Sequence, residues 1–303
     1  LFSSSSTTTT TTTTNKQQPF IIVGSGRVGE ALAAMGENDV SLLLSSSASS
    51  SFCFCEAGME PQHSKKTPKK VTREKNIQLL VRRDDPIPPS DDPNFPLGTP
   101  VVVCTRNDAL NAVLDKTPRE RRKDLVFVQN GMLQPWLAQK NLDTGSEAAT
   151  QILVFFAVAA KGEPPVDGVT DTDPQGLTAA HGRHAEAFAR RLRGSGGLSC
   201  RVLASRAAFD AAALEKLVWI SAFMLVGARH GGGVTVGEVE GGHAEEVAAL
   251  VRELAAGGAR ALSLPPGALP EPERLVEKLR AYARSVAHFP TAVKEFEWRN
   301  GWF

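Results

Sequence analysis

Residues 19–36 read PFIIVGSGRVGEALAAMG, and this stretch decides the fold class. A short apolar run, Phe20 to Val23, meets a glycine-rich turn, Gly24-Ser25-Gly26-Arg27-Val28-Gly29, and helix-forming residues from Glu30 to Met35 follow at once. The G-x-G-x-x-G spacing alone is common. Between strand and helix it acquires a mechanism. The first glycine permits the tight turn, the second lets a pyrophosphate approach the backbone, and the third lets helix pack on strand, while the helix N-terminus offers unpaired N–H groups to the anion. The stretch predicts a dinucleotide cofactor, with the six residues Gly24 to Gly29 as its binding turn.

Outward from that turn, strands alternate with helices. Apolar runs at Val101–Cys104, Leu125–Val128, Ile152–Val158, 176–180 and 198–203 read as strands, and Ala109–Asp115 and Ala185–Leu192 as helices between them. Such alternation predicts a parallel sheet covered on both faces. Two runs compete for the second strand. Val40–Leu44 ends in a serine tract, and Ile77–Val81 ends in Arg82-Arg83. The second is preferred, which makes 38–76 a long Ser- and Lys-rich insertion expected to be disordered. The choice bears on the cofactor. An acidic residue ending this strand would hold a ribose 2′-hydroxyl, whereas Arg82 accommodates a 2′-phosphate and favours NADP. The competing reading of Arg82 is an exposed arginine in a turn beside Asp84 and Asp85.

After Ser205 the pattern becomes wholly helical, at Ala207–Val226, His243–Leu262 and Glu273–His288. The expected organisation is a low-complexity leader over 1–18, a dinucleotide-binding α/β domain of Rossmann type over 19–204, and an all-α domain over 205–303. The Ser/Thr-rich leader opens on leucine, as in a fragment, a processed product or a truncated gene model. It reads as disorder or as the remnant of a plastid transit peptide.

Composition narrows the function classes. With 303 residues, 42% apolar and 22% charged, and a net charge of +1, the chain lacks the basic balance of a nucleic-acid binder. No uninterrupted apolar run reaches the roughly 18 residues that span a bilayer. Four cysteines give neither a disulfide framework nor a zinc spacing, so an intracellular, reducing compartment is expected, the cytoplasm by default. His181 and His184 lack companion ligands, and Gly231-Gly232-Gly233 lacks the lysine of a phosphate loop, so neither a metal site nor a second nucleotide site is expected.

One residue breaks the helical pattern. In AALEKLVWISAFM, residues 212–224, Lys216 falls on the same side as Phe209, Ala212, Ala213, Trp219, Ile220 and Phe223. Desolvation disfavours an ammonium and lowers its pKa toward neutrality, where a lysine can give up a proton and regain it. The bland alternatives are a snorkelling side chain and a structural ion pair.

The order of parts resembles the ketopantoate reductase family. The glycine turn, QNGM at 129–132 after a strand, Glu215-Lys216-Leu217 in the first helix of an all-α domain, and Ser285 followed twelve residues later by Glu297 carry the resemblance. It implies an all-α domain like the C-terminal one of 6-phosphogluconate dehydrogenase, and reduction of a small 2-oxo acid by NADPH, as in pantothenate biosynthesis, and it leaves a homodimer open. It further implies Lys216 as general acid, Asn130 where nicotinamide meets substrate, Ser285 and Glu297 on the substrate, and Arg106 near the cofactor. The family's two asparagines on the lysine helix are replaced here by Ile220 and Met224, which removes polar contacts and points to a substrate with a more apolar body, or to lost catalysis. Family members also continue past the substrate glutamate into another helix, where this sequence stops at Phe303. A silent NADP-binding module and an imine reductase remain the alternatives.

Overall fold

The computed structural model describes residues 19–36, 39–43, 76–83, 85–145, 148–194 and 196–303. The leader 1–18 and most of the expected insertion lie outside these residues.

An eight-stranded sheet organises the first two thirds of the chain, in the order β2-β3-β1-β4-β5-β6-β7-β8. The strands are β1 (Phe20–Val23), β2 (Asp39–Leu43), β3 (Asn76–Val81), β4 (Val101–Val103), β5 (Leu125–Phe127), β6 (Thr150–Leu153), β7 (Ala179–His181) and β8 (Arg201–Val202). Continuous runs such as FIIV and VVV are buried end to end because this sheet is covered on both faces. Alternate residues serve opposite faces. Ile21, Val23, Val101, Val103 and Phe127 pack with Leu110, Leu114, Trp136 and Leu137 of α2 (Leu110–Lys116) and α3 (Gln134–Gln139). Phe20, Ile22, Val102 and Val126 pack with Leu32, Phe188 and Leu192 of α1 (Arg27–Ala34) and α4 (Ala185–Arg193).

Two expectations need correction. Both candidates for the second strand are strands: Asp39–Leu43 pairs in parallel with β3, so the insertion does not begin at 38. The sheet is also not wholly parallel, since β6 and β7 run antiparallel. No helix connects them. The chain leaves β6 after Leu153, only two residues into the run expected to span Ile152–Val158, and returns through an irregular excursion closed by an Ala157–Val166 bridge. Parallel pairing requires a crossover, usually helical; without one the strand comes back antiparallel.

From Arg206 onward the described residues are helical: α5 (Arg206–Arg229), α6 (Val236–Gly242), α7 (Ala244–Ala261) and α8 (Pro272–Ser285). Ser205 caps α5 by accepting a bond from the Ala208 N–H. Helix α5 is apolar nearly all round because it is enclosed. Phe209, Val218, Phe223 and Val226 join Leu153, Phe155 and Ala179 of the sheet side and Val247, Val251 and Leu279 of α7 and α8 in one core. By length and composition it could cross a membrane, with mean hydropathy 1.6 over its most apolar window, but 78% of that window is buried inside the protein. Helix α6 escaped the sequence reading although Thr235 and Glu238 form a reciprocal capping box, because the glycines at 237, 241 and 242 obscure the helical pattern.

Candidate active site

The glycine turn has the geometry its spacing predicts. Gly24 sits at φ +104°, a region costly for any side chain, with a would-be Cβ 3.1 Å from the Cys104 carbonyl carbon. Gly26 is exposed and a Cβ there would meet nothing within 4 Å. At Gly29 a Cβ would lie 1.9 Å from the Gly24 carbonyl oxygen, so only glycine lets α1 close on β1. Gly26 is the N-cap of α1 and brings no side-chain cap, which leaves first-turn N–H groups, including those of Arg27 and Val28, for an anion over the open face of Gly26. Ser25 is half-buried beside them. The Arg27 guanidinium is otherwise engaged, donating to the carbonyls of Val158 and Ala159 at 3.0 and 2.8 Å.

Arg82 follows β3 directly and is exposed beside the glycine turn, since β3 pairs with β1 and the Gly24 N–H donates to the Val81 carbonyl. Its own backbone N–H donates to Asp85 Oδ2, so the turn expected from the sequence is present as well. Arg106 is exposed at the start of the 3-10 turn Asn107–Ala109 that follows β4.

Strand β5 delivers Gln129-Asn130-Gly131 to the same end of the sheet. Gln129 Nε2 donates to the carbonyls of Val103 and Thr105, which ties the ends of β4 and β5 together. The Asn130 carbonyl accepts from Asn107 Nδ2 at 2.9 Å. Gly131, at φ +108°, lies against the returning C-terminal segment, where a Cβ would meet the Trp298 carbonyl oxygen at 2.5 Å; the Met132 N–H donates to that oxygen.

Lys216 is buried, only 6% exposed. Its Nζ donates to the Val154 carbonyl, the first residue past β6, and lies 5.0 Å from the centre of the Phe155 ring. Burial pulls its pKa down from 10.5 to about 7, with a smaller contribution from the positive charge of Arg299. Its neighbour Glu215 is held differently, 2.6 Å from Lys278 of α8, with Asp173 3.6 Å from the same ammonium. That ion pair ties the adjoining face of α5 to α8. Lys216 does not snorkel, and it has no carboxylate partner among the described residues.

Three residues not singled out in the sequence, Glu295, Arg299 and Asn300, link α5 to the β5 turn. Glu295 accepts from the Asn107 N–H at 2.9 Å and pairs with Arg299 at 2.5 Å. Arg299 Nε is buried without a hydrogen-bond partner among the described residues, as is Asn300 Oδ1, while Asn300 Nδ2 donates to the Ser221 carbonyl of α5. The Glu295–Arg299 spacing of four was visible. Its inward turn was not, because it depends on Glu295 adopting φ +49°, a left-handed conformation that nothing local announces. The acidic residue that the resemblance implied, Glu297, is exposed. Ser285 Oγ is half-buried and donates to the Tyr282 carbonyl within α8. Neither is joined by a hydrogen bond to Lys216 or Asn130. Ile220 is buried in the core, and the Met224 sulfur accepts the Ala292 N–H, which ties the C-terminal segment to α5.

No family model matches the sequence, and no curated protein does. Among solved structures the chain is similar to 2-dehydropantoate 2-reductase from Methylococcus capsulatus (16% identity, TM-score 0.54, covering 91% of this chain and 82% of that one). It is similar to the same enzyme from Geobacter metallireducens (15%, 0.54, 93% and 87%) and to D-mandelate dehydrogenase with NADH and anilino(oxo)acetate (14%, 0.58, 93% and 89%). At these identities the likeness speaks for the arrangement of the backbone. A glycine turn at the C-terminal end of a central strand of a mostly parallel sheet, a QNG turn at the same end and a buried lysine on the first long helix of an all-α region are therefore assembled on the two-domain fold of the ketopantoate reductases.

Proposed function

We propose that the protein is an NADPH-dependent reductase that delivers hydride to the carbonyl carbon of a 2-oxo acid, with Lys216 supplying the proton to the carbonyl oxygen. The observation that carries this reading is a buried lysine on α5, the helix to which Asn300 ties a C-terminal segment that reaches the QNG turn through Glu295 and Asn107. Bound NADPH would supply the hydride. The residues fit that cofactor: Gly24, Gly26 and Gly29 with the first-turn N–H groups of α1 suit a pyrophosphate, Arg82 suits a 2′-phosphate, and Arg106 adds positive charge nearby. Asn130, at the end of β5, is proposed to meet both nicotinamide and substrate.

Lys216 holds its proton on the Val154 carbonyl at rest. A substrate carbonyl oxygen would replace that acceptor, and the pKa of about 7 leaves the proton transferable at neutral pH. Arg299, held in place by Glu295, would receive the substrate carboxylate on its Nε, which has no hydrogen-bond partner among the described residues. Ile220 and Met224 favour an apolar substrate body over a polyhydroxylated one. A panel of 2-oxo acids, aliphatic and aromatic, assayed for NADPH oxidation tests the reading. Binding of NADPH with no oxidation across the panel would replace it with the silent module.

Two substitutions refine the assignment. Arg82→Ser is expected to raise KM for NADPH roughly tenfold, about 1.4 kcal/mol, with little change for NADH; equal effects on both cofactors would leave Arg82 a surface residue. Glu295→Gln is expected to lower kcat/KM by roughly tenfold or more by loosening Arg299, with Glu297→Gln near the parent value. The reverse order would return the substrate contact to Glu297, with Ser285 beside it as the resemblance implies.

A further inference from the structure

We propose that His230, His243 and Glu246 form a binding site for a divalent cation of the zinc class, which pins the C-terminal end of α5 to the start of α7. The three residues come from different helix ends. His230 is the C-cap of α5, His243 sits at the junction between α6 and α7, and Glu246 lies in the first turn of α7. One ligand atom from each falls within 4.8 Å of the others. His230 Nε2 is 2.7 Å from Glu246 Oε2, and the two imidazoles stack with centroids 3.6 Å apart at 14°.

Two imidazoles and a carboxylate are the donor set that zinc takes with a fourth position left to water. Ligands about 2.0–2.2 Å from a common ion stand roughly 3–4 Å from one another, which is the separation this cluster already approaches. The ring of His243 makes no hydrogen bond among the described residues and provides no helix cap, so its coordinating nitrogens are unengaged. Binding requires the stacked rings to splay and the Arg229–Glu246 pair to open. Arg229 is 72% exposed in its side chain and can release its carboxylate into water at small cost. Spacing alone hid the site, because His230 and His243 lie thirteen positions apart with the Gly231-Gly232-Gly233 turn and a whole helix between them.

The test is titration of the chelator-treated full chain with Zn(II) and with Co(II), followed by calorimetry, visible absorption and thermal melting. One equivalent should bind saturably, Co(II) should develop the intense visible bands of a low-coordinate N,O site, and saturating Zn(II) should raise Tm on the order of 5 °C. His243→Ala and Glu246→Gln, both half-buried and outside the hydrophobic core, should keep the metal-free melting temperature within a few degrees and weaken binding by at least tenfold, while His288→Ala binds like the parent. Absence of saturable binding, or binding that survives both substitutions, overturns the proposal and leaves the cluster an ion pair with a stacked neighbour.

Discussion

Lys216→Met is expected to cut reductase activity by about 10²–10⁴-fold while the protein still binds NADPH and becomes more stable at neutral pH. The two effects share one cause. A buried ammonium at 6% exposure costs free energy that an apolar side chain of similar length does not, and the same desolvation makes the proton transferable. The unfolded chain holds this lysine at its ordinary pKa of 10.5 and the folded chain at about 7. Between those values the unfolded state binds a proton the native state lacks, so native stability rises with pH across this window. Below about 7 both states are protonated and the penalty is complete. The stability advantage of Lys216→Met should therefore be largest below pH 7 and shrink as pH climbs toward 10. It is reduced throughout by the Val154 carbonyl left without its donor, a loss of about 1–3 kcal/mol. In the parent protein kcat/KM for reduction should fall about tenfold per pH unit above 7 as the proton donor is lost. Chemical denaturation and steady-state kinetics over the same pH series check both. Parent-like turnover in the methionine variant would remove Lys216 from the reaction, and a stability difference flat in pH would show that the amine titrates normally.

Gly29→Ala and Gly26→Ala should separate the folding role of the glycine turn from its binding role. An alanine Cβ at position 29 would lie 1.9 Å from the Gly24 carbonyl oxygen, backbone that cannot retreat without pulling α1 off β1. Destabilisation of about 3 kcal/mol or more is expected, with loss of cofactor binding. At Gly26 the added methyl has nothing within 4 Å, so the melting temperature should stay within about a degree of the parent. The methyl would instead fill the open face where a pyrophosphate approaches the backbone, and NADPH affinity should drop by at least tenfold, about 1.4 kcal/mol. Thermal melts with and without NADPH distinguish the cases. Undiminished NADPH binding by Gly26→Ala would show that the cofactor does not lie over this turn.

The C-terminal segment shows where reading the sequence stops. Glu297 drew attention through its spacing from Ser285, yet the chain turns at Glu295, whose left-handed backbone sends its carboxylate to Asn107, 188 residues away, and leaves Glu297 exposed. Arg299 looked like one charge among many near the end of the chain. Its significance comes from acting on Lys216 after the segment folds back across α5, held there by Met224 and Asn300. The β6 run misled for a similar reason. Its apolar composition continues past Leu153, but the chain departs there, and the Val154 carbonyl so exposed becomes the acceptor for Lys216.

What the sequence determined by itself is whatever neighbouring residues settle among themselves. The strand, glycine turn and helix at 20–34, the doubly buried strands, and an apolar α5 carrying one inward lysine all follow from periodicity and from the backbone freedom of glycine. Tertiary structure alone decided the antiparallel β7, the approach of Glu295 and Arg299 to the β5 turn, and the meeting of His230, His243 and Glu246. Each of these depends on where a distant segment returns and on the dihedral angles that send it there. Such contacts are selected by the burial of whole faces against one another, a free energy distributed over many residues and carried by no short motif.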